Sequence, residues 1–223
     1  MKAMILAAGL GKRLRPLTNT IPKPNLMVGG KSLIERNIES LIKCGFEEIV
    51  INVSYLKDDI KNHVKEKFPN RKIYFSEELT PLGTGGGVQQ ALHLLGNKPF
   101  ILVNADICHS FELQNLNMDI EFTHIIGVKN PNHNVNGDFS LNGNTVYLKD
   151  SKNDFTWSGI SVINPRIFEG MDKLSAPFSI WNSVIKKHIL EGRVTGESSN
   201  KNWIDTGTIE RLALANKVFK EEN

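Results

Sequence analysis

The first twenty-four residues constrain the fold most, because an apolar run ends there in a glycine-rich and strongly basic loop. The run at residues 3–8 predicts a buried strand, and the loop at residues 9–18 follows it at once. Glycines let a backbone approach a ligand closely, and successive N–H groups in such a turn form a concavity that suits anions. The loop therefore predicts a triphosphate site, and a tight turn with solvated basic residues is the alternative. Its cationic side chains, which suit charge-assisted hydrogen bonds to phosphate, are Lys12, Arg13, Arg15 and Lys23.

Two familiar glycine motifs do not fit this chain. A dinucleotide-binding fingerprint needs a third small residue where Leu14 stands. It also needs a helix that begins directly after the glycines, and Pro16 disfavours a helix there. The P-loop-like Gly30-Lys31-Ser32 lacks the required glycine five residues earlier, where Asn25 stands. The segment 32–35 has instead the pattern of a capping box, which begins a helix.

The first half of the chain alternates between strand and helix patterns. Nearly continuous apolar runs predict strands at residues 48–53, 73–75 and 100–103. Helical periodicity predicts helices at residues 32–44, 55–68 and 85–95. This alternation predicts an α/β fold with a doubly wound, mostly parallel, Rossmann-like sheet.

The pattern changes after residue 106. We expect strands at residues 123–128 and 155–163 and a hairpin at 139–148 that turns at Asn142-Gly143. Helices follow at residues 180–190 and 208–219. These elements predict a small antiparallel section on the substrate side. No linker or repeat divides the sequence, so we expect one domain over residues 1–223.

Composition excludes several classes of protein. The 27 basic and 24 acidic residues give a net charge of +3, too small to favour nucleic acid as a partner. Cys44 and Cys108 lack the spacing of metal ligands and suit a reducing, cytoplasmic compartment. The apolar run at the N-terminus is shorter than a signal-peptide core, and no stretch has the length of a membrane span. We therefore expect a cytoplasmic protein without a membrane partner.

Two aspartates follow short apolar segments at which parallel strands would end. Asp106 comes directly after residues 100–105, and Asp205 follows Trp203-Ile204. Carboxylates beside a triphosphate site are natural ligands of Mg²⁺. A turn or a helix cap is the alternative for each of them.

Two further segments have the character of phosphate sites. Thr84-Gly85-Gly86-Gly87 begins a helix, where free N–H groups and the helix dipole favour an anion, with a flexible loop as the alternative. Lys23 stands between two prolines that stiffen its backbone, which favours a fixed phosphate contact over a solvated side chain.

The motif at residues 9–18, followed by Pro22-Lys23-Pro24, resembles the signature of the sugar-1-phosphate nucleotidyltransferases. Those enzymes join a nucleoside triphosphate to a sugar 1-phosphate and release pyrophosphate. The resemblance implies that residues 1–110 bind the nucleotide and residues 111–223 bind the sugar. It implies catalytic roles for Arg13, which would hold the leaving phosphates, and for Lys23 and Asp106. It also implies that Asp106 and Asp205 hold Mg²⁺.

The same resemblance assigns the remaining binding residues. The implied nucleotide-binding residues are Leu6, Ala7, Ala8, Gly9, Gly11, Lys12, Arg13, Lys23, Thr84, Gly85 and Gly86. The implied sugar-binding residues are Asn104, Gly137, Asp138 and Gly159. Many relatives grip the sugar phosphate with the lysine of a Glu-Lys-Pro segment, which this chain lacks, and Lys149 or Lys152 is the candidate substitute.

Within the family, the chain is most similar to the branch that uses UTP and N-acetylmuramate α-1-phosphate. Thr-Gly-Gly-Gly, Asn-x-Asp, Gly-Asp-Phe and the ending Gly-Thr-x-Glu-Arg-Leu carry that likeness. It implies a cell-wall recycling enzyme. We expect a monomer or small homo-oligomer, although no sequence feature specifies the oligomeric state. Mannose-1-phosphate guanylyltransferase, another pair of nucleotide and sugar phosphate, and a non-catalytic nucleotide-sugar sensor are the alternatives.

Overall fold

The computed structural model of the protein describes residues 1–171 and 177–220, and the other residues of the predicted domain lie outside these ranges. Its strands are β1 Lys2–Leu6, β2 Met27–Val28, β3 Lys31–Ser32, β4 Glu48–Val53, β5 Lys72–Glu77, β6 Phe100–Asn104, β7 Ile107–His109, β8 Thr123–Lys129, β9 Ser140–Asn142, β10 Thr145–Tyr147, β11 Phe155–Ile163, β12 Val194–Ser199 and β13 Trp203–Asp205. Its helices are α1 Leu33–Lys43, α2 Lys57–Lys67, α3 Gly83–Leu95, α4 Lys186–Leu190 and α5 Ile209–Val218.

Nine strands form one sheet in the order β5-β4-β1-β6-β11-β8-β12-β10-β9. All of them except β11 and β10 point the same way. This confirms the α/β fold with a mostly parallel sheet and an antiparallel section in the second half. Because strands from both halves share the sheet, we keep the single domain as our interpretation.

Two apolar cores cover the two faces of the sheet, as a doubly wound fold requires. Alternate residues of a strand point to opposite faces, so Ile5 and Met4 of β1 enter different cores. The core around Ile5 includes residues of α1 and α2, whereas the core around Met4 includes residues of α3 and α4. Each fully buried aliphatic side chain of this kind stabilises the fold by about 1.5–3 kcal/mol.

Local signals place the helix ends well. Ser32 caps α1, accepting from the Glu35 N–H while the Glu35 carboxylate accepts from the Ser32 N–H, which confirms the capping box. Thr208 caps α5, so the alternative of Asp205 as the cap of that helix is wrong. The predicted helix at residues 180–190 differs in kind, because Trp181–Ile185 is π-helical before α4 begins.

A small antiparallel sheet of β7 and β13 leaves the main sheet and pairs Asp205 with Ile107. The N–H and hydroxyl of Thr206 both donate to the Asp106 carbonyl at 2.9 Å. Residues 106 and 205, far apart in sequence, thus become neighbours. No helix in the described ranges has the length and apolar character needed to cross a membrane.

Candidate active site

The carboxyl ends of three parallel strands form the floor of a pocket of about 200 Å³, here called the strand-end pocket. Register places Leu6 of β1 beside Asn52 of β4 and Asn104 of β6. Ligands of open α/β sheets bind at this edge, where the strands stop and the side chains of the following loops meet. The lining residues are Leu6, Ala7, Ala8, Gly9, Lys23, Pro24, Asn52, Glu78, Pro81, Gly83, Thr84, Asn104, Ala105 and Asp106.

A buried polar network fixes the wall of the strand-end pocket. The Asn52 side chain accepts a hydrogen bond from the Ala7 N–H at 2.8 Å and donates to Glu78 Oε1 at 2.6 Å. Glu78, only 2% exposed, also accepts from the Leu82 N–H at 2.7 Å. Sequence reasoning missed both residues. An asparagine inside the otherwise apolar run of β4 was the available signal, because buried polar side chains need partners.

Backbone geometry explains Gly11 in the basic loop. Its φ of +62° lies in the left-handed region, and a β-carbon there would come within 2.9 Å of Thr18 Cγ2. The Thr18 hydroxyl donates to the Gly11 carbonyl at 2.9 Å, which closes the loop. Lys12 and Arg13 are exposed on its outer side. The Arg13 side chain makes no hydrogen bond or ion pair with residues 1–171 or 177–220.

Lys23 and Asp106 form an ion pair at the mouth of the strand-end pocket, with Nζ 2.5 Å from Oδ2. The two side chains are 10% and 33% exposed, so solvent screens this attraction only partly. Pro22 and Pro24, both buried, hold the Lys23 backbone on either side. A cation and a carboxylate from distant segments thus meet where a phosphate would enter.

A second pocket, of about 460 Å³, adjoins the first through Asn104 and Asp106 and is here called the Trp157 pocket. Asp106 and Asp205 both line it. Its lining residues are Arg13, Asn104, Asp106, Ile107, His133, Asn134, Asp138, Thr156, Trp157, Ser158, Gly159, Trp203 and Asp205. Arg13 therefore lies beside the two carboxylates and lines this pocket rather than the strand-end pocket.

Asp205 is held by several neighbours. Its Oδ1 accepts from the Gly207 N–H at 2.6 Å, and its Oδ2 lies 3.3 Å from Arg211 Nη1 and 3.7 Å from His133 Nε2. Burial lowers the pKa of His133 from its ordinary value, and the Arg211 charge lowers it further. The neutral form of His133 is therefore favoured, and Arg211 is the main counter-charge of Asp205.

The two aspartates suit Mg²⁺ chemically, although no group of three or more His, Cys, Asp or Glu side chains is placed for a metal in the described residues. Mg²⁺ prefers oxygen ligands and is commonly held by one or two carboxylates together with substrate phosphates and water. Asp106 and Asp205 supply that donor set on one wall of the Trp157 pocket. The fit therefore depends on a substrate completing the coordination.

Asn104 lies at the boundary of the two pockets. Its Oδ1 is buried and has no hydrogen-bond partner among the described residues. Gly159, with φ of +80°, passes so close that a β-carbon there would come within 2.6 Å of Asn104 Nδ2. An unpaired buried acceptor costs free energy until a ligand donates to it. Asn104 is thus placed to meet a ligand hydroxyl or amide.

Aromatic stacking supports the far wall of the Trp157 pocket. The rings of Trp157 and Trp181 stack with centroids 5.4 Å apart and planes inclined by 17°. The Trp157 N–H donates to Asp138 Oδ2 at 2.9 Å, so Asp138 braces the strand that carries this ring. Gly137 does not line either pocket, and a β-carbon at that position would collide with Asn130.

The glycines that begin α3 have a packing role. A β-carbon on Gly85 would lie 2.2 Å from the Phe178 ring, and the Gly85 N–H donates to the Phe178 carbonyl at 2.9 Å. A β-carbon on Gly86 would lie 2.8 Å from Leu82 Cβ. Neither glycine lines the strand-end pocket, although Gly83 and Thr84 do. The nucleotide contacts predicted for Gly85 and Gly86 stay predictions.

Comparison with known proteins decides the family. A nucleotidyl transferase family model matches residues 2–123, more than half of the chain. The chain belongs to this family. It is a nucleotidyltransferase, and its relatives are sugar-1-phosphate nucleotidyltransferases, which confirms the resemblance carried by the first motif.

Two curated relatives and one solved structure illustrate the family's range. The N-acetylmuramate alpha-1-phosphate uridylyltransferase of Neisseria meningitidis serogroup B is 37% identical, over 96% of each chain. The mannose-1-phosphate guanyltransferase of Emericella nidulans is 29% identical, and the match spans 93% of this chain but 61% of that protein. A Bacillus anthracis structure assigned as a glucose-1-phosphate thymidylyltransferase has a TM-score of 0.87 at 20% identity, over 100% of this chain and 96% of that one, which supports the fold alone.

The nucleotidyltransferase fold thus gathers most of the predicted site residues around two adjoining pockets. Lys12 and Gly11 stay on the basic loop, outside both linings. Lys149 pairs with Asp154 at 2.7 Å, and neither Lys149 nor Lys152 lines a pocket described above. The substrate contacts of all these residues stay predictions.

Proposed function

We propose that this nucleotidyltransferase joins UTP and N-acetylmuramate α-1-phosphate, giving the UDP-sugar and pyrophosphate in cell-wall recycling. The end-to-end match with the Neisseria uridylyltransferase carries the proposal, because it extends through the sugar-side half as well as the nucleotide-side half. A cytoplasmic location and action as a monomer or small homo-oligomer belong to the same proposal.

The two pockets suggest how the substrates divide the site. The base and ribose occupy the strand-end pocket, and the sugar occupies the Trp157 pocket. Asn104 and Asp106, which line both pockets, then lie where the α-phosphate of UTP meets the sugar 1-phosphate. An arrangement of this kind accelerates the reaction mainly by holding the two reactants in line.

The reaction needs one displacement at phosphorus. An oxygen of the sugar 1-phosphate forms a bond to the α-phosphorus, and the bond from that phosphorus to the β-bridging oxygen breaks. Pyrophosphate leaves with the bonding electrons. The attacking oxygen is already anionic, so no general base is required. Lys23 neutralises charge at the reacting phosphate, and Arg13 holds the leaving phosphates.

Mg²⁺ held by Asp106 and Asp205 would supply positive charge to the phosphate oxygens and help to orient them. Lys23, which pairs with Asp106 in this structure, would bind the substrate phosphate from the same side. Asp205 Oδ2 also lies 3.3 Å from Arg211 Nη1, so its negative charge is partly compensated.

The decisive experiment measures pyrophosphate release with Mg²⁺, crossing UTP, GTP, dTTP and CTP with the 1-phosphates of N-acetylmuramate, mannose and glucose, and with phosphocholine. We expect the highest kcat/KM for UTP with the muramate phosphate, and loss of release when EDTA removes the metal.

Preference for GTP and mannose 1-phosphate would keep the mechanism and overturn the substrates, in line with the guanyltransferase relatives. Absence of release with every pair, together with retained binding of nucleotide sugars, would overturn catalysis and favour a sensor.

A further inference from the structure

A second arginine meets Arg13 beside the Trp157 pocket. Arg211 lies in the first turn of α5, and its side chain is only 14% exposed. A β-carbon at position 207 would lie 2.4 Å from Arg211 Nη2 and 2.9 Å from Arg13 Nη2. Because Gly207 has no such atom, the two guanidinium groups converge on its backbone.

The two guanidinium groups have more donors than acceptors. Arg211 Nε and Nη1 are buried and have no hydrogen-bond partner among the described residues. Asp205 is the nearby carboxylate, 3.3 Å from Arg211, and it also accepts from the Gly207 N–H. Buried charged donors without acceptors cost free energy, and the planar fork of arginine fits a phosphate or a carboxylate.

The cavities beside Arg211 hold both cationic and anionic side chains. Arg211 lines a cavity of about 440 Å³ that shares His133, Trp203 and Asp205 with the Trp157 pocket. Lys129 and Lys201 line the same cavity. Glu112 pairs with Lys201 at 3.2 Å, and Asp138 faces the site from the Trp157 pocket. The carboxylates of Asp106, Asp138 and Asp205 balance these cations, so the unpaired donors of Arg211 itself are what favour an anion here.

We propose that Arg211 binds an anionic group of the sugar substrate, either its 1-phosphate or a carboxylate carried by the sugar. The inference rests on the proposed function, and it supplies the cation that the absent Glu-Lys-Pro segment leaves unassigned. Arg13 stays with the leaving phosphates, so two neighbouring anions each have one guanidinium group. Arg211 would donate to its anion through Nε and Nη1, the buried groups that have no hydrogen-bond partner among the described residues.

The test compares R211K and R211M with the wild-type enzyme on two sugar phosphates at saturating UTP and Mg²⁺. N-acetylmuramate 1-phosphate carries a carboxylate, and N-acetylglucosamine 1-phosphate has the same ring without it. We expect R211M to raise KM roughly 100-fold for each sugar phosphate whose anionic group Arg211 binds. R211K should raise it roughly 10-fold, because lysine keeps the charge but lacks the planar fork of donors. R166M is the control, since Arg166 is an exposed arginine paired with Glu121.

The KM values distinguish the two candidate anions and can refute the role of Arg211. A rise in KM for the muramate phosphate alone supports a carboxylate, and an equal rise for both sugars, with unchanged KM for UTP, supports the 1-phosphate. Values for R211M that match R166M overturn the proposal. So do equal losses in the UTP, Mg²⁺ and sugar parameters, because they would show that Arg211 only positions Asp205.

Failure of the proposed function would look different. A wild-type enzyme that prefers GTP and mannose 1-phosphate would refute the muramate assignment but leave Arg211 testable. In that case R211M should raise KM for mannose 1-phosphate, and an unchanged value would overturn the proposal for Arg211.

Discussion

The strand-end pocket and the Trp157 pocket are built in different ways. The first is formed by the ends of β1, β4 and β6, which lie side by side in the sheet, and by the loops that continue them. The second gathers side chains from the basic loop, β6, the segment before β9, β11 and β13. Strand ends with one buried polar network therefore fix the strand-end pocket, whereas packing of side chains from many separate segments fixes the Trp157 pocket.

The difference suggests how members of one family change substrate. A wall built from strand ends keeps its shape through many substitutions, because the sheet sets the positions of its atoms. A wall built from side chains of separate segments changes whenever one segment changes. We infer that sugar choice varies more readily than the phosphate chemistry. Substitutions at Asp106, Asn52 and Gly159 test that division, and one at His109 tests the stability of the sheet beside it.

Asp106 belongs to both pockets, so its removal should have the largest effect. The substitution Asp106→Asn keeps an acceptor for Lys23 but removes the carboxylate charge. We expect kcat to fall by roughly 10³-fold or more with either substrate held saturating, because charge neutralisation at the reacting phosphate is lost. Pyrophosphate release measures the loss, and circular dichroism checks the fold. Near-wild-type kcat would refute the metal assignment, and Asp150→Asn, at an exposed position, is the matched control.

Asn52→Leu should damage the strand-end pocket selectively. It leaves the Ala7 N–H and the buried Glu78 carboxylate each without one partner, which should lower the free energy of unfolding by about 2–3 kcal/mol. We also expect KM for UTP to rise about 10-fold, while KM for the sugar phosphate stays within about twofold. Urea unfolding and initial rates provide the two measurements. An equal rise in both KM values would contradict separate substrate roles for the two pockets. The control is Asn62→Leu, at an exposed position.

Gly159→Ala should have the opposite selectivity. An added β-carbon collides with the Asn104 side chain, and the φ of +80° strains an alanine. We expect KM for the sugar phosphate to rise about 10-fold, with KM for UTP nearly unchanged, because the collision displaces Asn104 from its position at the edge of the Trp157 pocket. Gly143→Ala, which shares a positive φ but has open space around it, separates backbone strain from the collision. A change confined to UTP would contradict the prediction.

The smallest effect concerns the β7–β13 sheet that joins the two aspartates. Burial lowers the pKa of His109 to about 4, whereas the unfolded chain keeps a value near 6.5. Between these values the unfolded state binds more protons, so stability is complete above about pH 6.5 and is lost as the pH falls toward 4. Replacing His109 by Asn should remove about 1–2 kcal/mol of the change in unfolding free energy between pH 7 and pH 5. Urea unfolding at both pH values measures it, exposed His93→Asn is the control, and an unchanged pH dependence would contradict it.

Much of the strand-end pocket could be predicted because its signals are local. The apolar run before Gly9 predicts a buried strand, and the glycines after it require a turn at the strand's carboxyl end. The capping box at Ser32 follows from two residues three positions apart. Parallel strands of a doubly wound sheet bring their carboxyl ends to one edge, so Asp106 had to lie near the basic loop.

Local sequence patterns could not predict the Asn52–Glu78 network or the contact region of Arg13 and Arg211. Each depends on the contact of segments that are far apart in the sequence, and single polar residues in a buried strand or a helix turn have many other uses. The glycines of α3 show the reverse case, because the pattern indicated a ligand loop and the structure packs Phe178 against them.

The sequence by itself determined the family, the order of most elements and the position of the glycine-rich basic loop, because these depend on periodicity and on short motifs. Only the tertiary structure decided which side chains share a cavity. The β7–β13 ladder sets Asp205 beside residues 106 and 107, and Gly207 lets two guanidinium groups converge. Those contacts arise from packing between distant segments, whose geometry no local pattern specifies.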